Sequence, residues 1–233
     1  MEAIVLAGGF GSRLQTMVQD VPKSMALVNH RPFLEYLLDL LIKQEIDKVV
    51  LSVGFMREHI MDHFKDRYKS LEIVYSIEEE PLGTGGGVRL AFWKIEGERS
   101  FVLNGDSLFL VDYQKMLDQH VKKKAEATLA LKKLKDTGRY GGVCLNRNKR
   151  ITGFIEKNAN SGPGYINGGV YLLEKSFLME PEFRGKFSIE KDCFEMYYPE
   201  SRMFGFPSSG YFLDIGIPED YKKAQHEFAG FNG

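Results

Sequence analysis

The stretch Ala3-Ile4-Val5-Leu6-Ala7-Gly8-Gly9-Phe10-Gly11-Ser12-Arg13-Leu14, followed by Pro22-Lys23, decides how the rest of the chain reads. Residues 3–7 form a short apolar run stopped by glycines, the pattern of a strand buried on both faces of a parallel sheet. Glycines directly after a strand let the backbone approach a ligand closely and leave N–H groups facing an anion. Arg13 and Lys23 place two fixed positive charges beside that loop. Together these features describe a polyphosphate cradle. The dinucleotide pattern G-x-G-x-x-G fails because Leu14 occupies the third glycine's place, and the pattern G-x-x-x-x-G-K-[ST] is absent.

Working outward, strand and helix signals alternate. A helix is predicted over 32–43, with Pro32 at its first position and Phe33, Tyr36, Leu37, Leu40 and Leu41 on one face. Residues 48–53 read as a strand, 56–64 as a helix, 71–77 as a strand and 83–94 as a glycine-led helix. A strand over 100–103 ends at Asn104-Gly105-Asp106, and a helix follows over 113–124. Strands separated by helices at short spacing imply right-handed crossovers and a parallel sheet, whose ligands bind at the carboxyl ends of the strands. The later sequence is richer in strands, predicted over 127–132, 141–145, 151–156 and 167–173. Helices are predicted over 188–196, capped by Ser188, and over 218–228, and 158–164 reads as loop. The fold class is thus α/β, with a Rossmann-like, mostly parallel but mixed central sheet flanked by helices.

The chain has 233 residues, enough for a single domain with one large core. Lysine plus arginine number 31 against 32 aspartates and glutamates, too balanced for non-specific nucleic-acid binding. Cys144 and Cys193 form no metal or disulfide motif, and a reducing compartment is expected. No run approaches a membrane span and the first residues lack a secretory pattern, so a cytoplasmic protein without membrane partners is expected.

The remaining chemistry sits in short motifs. Asp106 and Asp214 each follow an apolar run beside a glycine, suited to a magnesium ion; either alone reads equally as a turn cap. Glu156-Lys157 close a predicted strand, and Asn167-Gly168-Gly169 offers a carboxamide to a sugar hydroxyl. Glu78-Glu79-Glu80 precede Pro81-Leu82-Gly83-Thr84. A carboxylate only accepts hydrogen bonds, so it suits guanine, which presents two adjacent donors, and clashes with uracil or thymine. His59 and His63 are four apart on a predicted helix, but Ile60 and Phe64 take its core face and H-E-x-x-H is not matched.

In this combination and order, nearly the whole chain resembles the sugar-1-phosphate nucleotidyltransferase family, with its nucleotide-diphospho-sugar transferase fold. Within it, Arg139-Tyr140-Gly141, residues 166–173, 187–192 and 211–221 resemble the heptose-1-phosphate guanylyltransferase branch; the mannose-1-phosphate branch is the alternative. Ser12, Ser24 and Gly85 stand where the family commonly has threonine, proline and alanine. The resemblance implies that GTP and a sugar 1-phosphate give a nucleotide sugar and pyrophosphate, with Mg2+ as cofactor. It implies nucleotide contacts from Leu6, Ala7, Gly8, Gly9, Gly11, Ser12, Gly83 and Thr84, and base reading by Glu78, with Glu79 and Glu80 as alternatives. Arg13 would bind the departing phosphates and Lys23 the α-phosphate. Asp106 and Asp214 would hold the metal, Lys157 the sugar phosphate, and Gly141, Glu156 and Asn167 the sugar hydroxyls. Arg13, Lys23 and Asp106 are the expected catalytic residues. Residues 1–110 would mainly bind nucleotide and 111–233 mainly sugar phosphate within one domain; a homo-oligomer stays open.

Overall fold

The computed structural model describes residues 1–9, 20–157, 162–180 and 182–229. In chain order these form β1 (Glu2–Leu6), β2 (Leu27–Val28), β3 (Arg31–Pro32), α1 (Phe33–Lys43), β4 (Lys48–Val53), α2 (Arg57–Phe64), β5 (Arg67–Tyr68) and β6 (Leu71–Ile77). Next come α3 (Gly83–Ala91), β7 (Arg99–Asn104), β8 (Ser107–Phe109), α4 (Tyr113–Lys123), β9 (Ala127–Leu134), β10 (Gly142–Leu145), β11 (Ile151–Ile155) and β12 (Gly164–Glu174). The chain closes with α5 (Lys175–Met179), α6 (Glu195–Tyr197), β13 (Met203–Ser208), β14 (Phe212–Asp214) and α7 (Pro218–Glu227).

A mixed sheet runs in the order β11-β10-β12-β7-β1-β4-β6-β5, and β9 joins β12 to the edge strand β13. The neighbours β7, β1, β4 and β6 are mutually parallel. Their side chains alternate between faces, as the pleat dictates. Ala3, Val5, Val49, Leu51 and Leu103 join one buried cluster with Leu34, Leu37 and Leu41 of α1. Ile4, Val50 and Val102 join the other with Val88 and Ala91 of α3. Helices therefore cover both faces, which is why β1 and the middles of β4 and β7 read as apolar runs, while the flanking β6 carries the exposed Glu72. Among the described residues no helix is long and apolar enough to cross a membrane.

Several elements depart from the sequence reading. Pro32 and Met56 lie just outside their helices as N-caps. The predicted helix over 188–196 is mostly a π turn, Ile189–Phe194, although Ser188 caps it as expected by accepting the Lys191 N–H. Asn167-Gly168-Gly169 does not begin the strand predicted over 167–173: it is a bulge inside the longer β12, where Gly169 takes φ +72 and the register with β9 shifts. Residues 158–161 of the expected loop lie outside the described residues, and Gly164 already belongs to β12.

A buried phenol and a half-buried guanidinium lead to stability predictions. Tyr113 is fully buried against Phe101, and its hydroxyl has no hydrogen-bond partner among the described residues. Burial raises its pKa, so the group stays a neutral phenol that has lost its water. Tyr113→Phe should therefore raise stability by ~1 kcal/mol, read as a higher urea midpoint at unchanged slope. Arg31 donates to Glu35 at 2.6 Å, to Asp39 at 2.5 Å and to the Tyr68 hydroxyl at 2.7 Å, tying β3, α1 and β5 together. Burial alone would raise the Glu35 and Asp39 pKa values, but their cationic partners outweigh it and hold both below the ordinary carboxylate range. Their stabilisation is present at neutral pH and lost as pH falls below about 4, through the depressed folded-state values. Arg31→Met should cost about 2 kcal/mol at pH 7, and the gap to the parent should narrow below about pH 3, measured by thermal unfolding across pH.

Candidate active site

The chain leaves β1, builds β4 and β6 on one side of it, then returns to β7 on the other. Such a reversal opens a crevice beyond the strands' carboxyl ends. Here it is a cleft of about 630 Å³, lined by Leu6, Ala7, Gly8 and Gly9 after β1, Gly54 and Phe55 after β4, Glu78 and Glu79 after β6, and Asn104, Gly105 and Asp106 after β7. Lys23, Gly83 and Thr84 complete the same wall, together with Arg57 and Glu58. Gly105 is required where β7 meets β1: a Cβ there would lie 2.4 Å from the Leu6 carbonyl oxygen, which instead accepts the Gly105 N–H at 3.0 Å. Gly11, Ser12 and Arg13 lie outside the described residues.

At one end of the cleft Lys23 meets Asp106, and Asp214 lies on the backbone adjoining them, outside the cleft lining. Lys23 Nζ donates to Asp106 Oδ2 at 2.5 Å, and the Ser107 hydroxyl donates to Oδ1 at 3.1 Å. The antiparallel partner of β8, β14, sets Asp214 opposite Ser107, while the Ile215 N–H donates to the Asp106 carbonyl at 2.9 Å. The two aspartates, 108 positions apart in sequence, thus sit on adjoining backbone. Gly216 leaves room between them: a Cβ there would lie 2.1 Å from Lys23 Nζ and 2.8 Å from Asp214 Oδ1. Among the described residues no third carboxylate, histidine or cysteine joins them in a metal-binding group. Two carboxylates with no soft ligand fit Mg2+, which completes its shell with phosphate and water oxygens.

At the other end, Glu78 lines the cleft with its oxygens already engaged. The buried Ser52 hydroxyl donates to Oε1 at 2.9 Å and the Leu82 N–H to Oε2 at 3.1 Å. Gly83, at φ +72, packs on the Phe187 carbonyl, which accepts the Gly85 N–H at 3.0 Å. The Phe187 ring fills the space of a Cβ on Gly85, 2.1 Å away, so this departure from the family's alanine is matched by a neighbouring side chain. Thr84 donates to Glu190 Oε2 at 2.9 Å and accepts the Ile189 N–H.

The expected sugar-side residues are not in the cleft wall. Glu156 and Lys157 are exposed just past β11. Gly141, at φ +78, sits against the Ile155 carbonyl and near Lys157. The adjacent Tyr140 donates to Asp220 at 3.3 Å; burial, then the Asp214 and Asp220 charges, push its phenol pKa up. Asn167 accepts the Gly169 N–H and donates to the Tyr171 hydroxyl, each at 2.9 Å, leaving one amide hydrogen. Tyr171 in turn donates to Glu190, so one carboxylate ties this region to the Thr84 turn.

Sequence reasoning missed Gly54, Phe55, Arg57 and Glu190. The glycine ending β4 repeats the strand-then-glycine signal of Gly8 and marks the same cleft; nothing in the sequence singles out Glu190.

Residues 2–229 match the family described as Nucleotidyl transferase. The chain is 48% identical over 227 residues to D-glycero-alpha-D-manno-heptose 1-phosphate guanylyltransferase of Aneurinibacillus thermoaerophilus, covering 97% of this chain and 98% of that one. It is 41% identical over 222 residues to the protein of the same name from Campylobacter jejuni, covering 95% and 97%. The crystal structure of HddC from Yersinia pseudotuberculosis complexed with GMP-PN matches with a TM-score of 0.85 at 33% identity, over 97% of this chain and 99% of that one. With the match running over nearly the whole chain, the chain belongs to the nucleotidyl transferase family.

Proposed function

We propose that the protein is a sugar-1-phosphate guanylyltransferase that converts GTP and D-glycero-α-D-manno-heptose 1-phosphate to GDP-heptose and pyrophosphate, using Mg2+. The observation that carries this reading is the meeting of Lys23 and Asp106 at one end of a cleft of about 630 Å³, a volume suited to a nucleotide, with Asp214 on the strand paired beside them. Residues 1–110 mainly bind the nucleotide and 111–233 mainly the sugar phosphate. The relatives' printed names support the choice of guanine and heptose.

A sugar-phosphate oxygen attacks the α-phosphorus of GTP in line with the leaving group. A new P–O bond forms, the bond to the β-phosphate bridging oxygen breaks, and pyrophosphate leaves with that electron pair. The attacking phosphate is already ionised at pH 7, so no general base is required. The obstacle is to bring two polyanions together. Mg2+, when held by Asp106 and Asp214, supplies charge neutralisation at the phosphate oxygens. Gly8 and Gly9 are assigned to the triphosphate, Lys23 to the α-phosphate and Lys157 to the sugar phosphate, and the sequence motif assigns Arg13 to the departing phosphates. Glu156, Asn167 and Gly141 orient the sugar, and the Glu78–Glu80 segment reads the base.

A pyrophosphate-release assay tests this reading, pairing each of the four common nucleoside triphosphates with heptose, mannose and glucose 1-phosphates. The highest kcat/KM is expected for GTP with the heptose. A maximum with mannose 1-phosphate would reassign the sugar, and no release with any pair would leave a nucleotide-binding regulatory protein.

A further inference from the structure

We propose that Arg57 is a base-reading residue: its guanidinium donates to O6 and N7 of the guanine, beside the Glu79 carboxylate, which accepts from the guanine's N–H donors. This deepens the guanylyltransferase reading and rests on it.

Four observations carry it. First, both side chains line the cleft at the end away from Lys23 and Asp106, among the Gly54, Phe55 and Pro81 wall. Second, Glu78, the nearest carboxylate by sequence pattern, is committed to the protein: Ser52 and the Leu82 N–H hold its two oxygens and fix the turn into α3. Third, the Arg57 side chain is held only loosely. It pairs with Glu58 at 3.4 Å and Glu79 at 3.3 Å, two side chains that are mostly exposed, and it makes no hydrogen bond to another described residue. Fourth, its placement is enforced by the backbone. Met56 adopts φ +51, costly for a residue with a side chain, and that turn starts α2 with Arg57 on the cleft.

The chemistry is complementary. Guanine shows two acceptors, O6 and N7, beside two donors, the ring N–H and the amine. A planar guanidinium matches the acceptors in bidentate fashion, and an adjoining carboxylate matches the donors. Adenine puts an amine where O6 stands and would face the guanidinium donor to donor. Glu78 becomes a positioning residue for the turn that carries Glu79.

The test compares kcat/KM of the full chain and two variants with GTP, 7-deaza-GTP (no N7 acceptor), ITP (no 2-amine) and ATP, at fixed heptose 1-phosphate. The parent should lose ~10-fold on 7-deaza-GTP and on ITP. Arg57→Met should lose ~10–100-fold on GTP, treat GTP and 7-deaza-GTP alike, and narrow the preference for GTP over ATP. Glu79→Gln should treat GTP and ITP alike while still resolving 7-deaza-GTP. If Arg57→Met fails to fold, Arg57→Lys keeps the charge without the bidentate fork and should show the same loss of N7 sensitivity. An Arg57 variant that keeps the parent ratio of GTP to 7-deaza-GTP overturns the assignment while leaving the guanylyltransferase reading intact. A parent enzyme that prefers UTP or dTTP overturns both.

Discussion

Asp106→Asn should lower turnover with GTP and a sugar 1-phosphate by a hundredfold or more, about 3 kcal/mol of transition-state stabilisation. The substitution is nearly isosteric, and the backbone that aims it is fixed independently of the side chain. The Gly105 N–H is locked on the Leu6 carbonyl, and the Asp106 carbonyl on the Ile215 N–H. An asparagine oxygen still accepts from Ser107 or from Lys23. What disappears is one negative charge next to Asp214, at the place where a divalent ion is to be held between protein and triphosphate. With its side chain 32% exposed, Asp106 contributes little to folding, so the melting temperature should stay within a few degrees of the parent. The concentration of Mg2+ at half-maximal rate should rise at least tenfold, and saturating Mg2+ should recover only part of the rate. Near-normal turnover at saturating Mg2+ would remove Asp106 from metal binding.

That such a prediction is legible from sequence at all reflects where physics is local. β1, β4 and β7 carry apolar runs that end near glycines or an aspartate, the composition of doubly covered parallel strands, and β6 beside them is apolar but for Glu72 and Ser76. Gly8, Gly9, Lys23, Asp106 and Asp214 stood out because backbone approach and fixed charge restrict residue type at single positions. Other parts depend on partners that no window of sequence contains. β13 carries Pro207, which argues against a strand, yet it pairs with β9 at the sheet edge. β8 and β14 have three residues each and exist because they pair with one another, which is what brings Asp214 beside Asp106. In sequence Glu78 is one of three consecutive glutamates, and only the fold places the Ser52 hydroxyl and the Leu82 N–H against it. Gly85 read as one small residue for another, until the ring of Phe187, 102 positions away, was found in the space of its missing Cβ.

Lys23→Met should reduce kcat/KM for GTP by ~100–1,000-fold, the loss typical when one donor aimed at developing phosphate charge is removed. The lysine leaves the short turn Lys23–Met25 with its side chain only 15% exposed, and its ammonium reaches Asp106 while lying next to Asp214. Among the described residues, one cation here faces two carboxylates. Its removal therefore acts twice: it weakens the attraction for the α-phosphate and leaves two acidic groups facing each other. The second effect costs ~1–2 kcal/mol of stability and should appear as a modest fall in melting temperature, which separates it from the kinetic loss. Arginine is no substitute, because Gly216 packs against Nζ so closely that its own Cβ would lie 2.1 Å away, and a planar guanidinium has no room there. Lys23→Arg should thus lose about 1–2 kcal/mol of stability and more than tenfold in kcat/KM. If charge at that spot is what matters, methylammonium added to Lys23→Met should restore part of the rate without changing that of the parent. A Lys23→Met enzyme within fivefold of the parent would mean that the α-phosphate is bound elsewhere, and that the Lys23–Asp106 pair serves the fold alone.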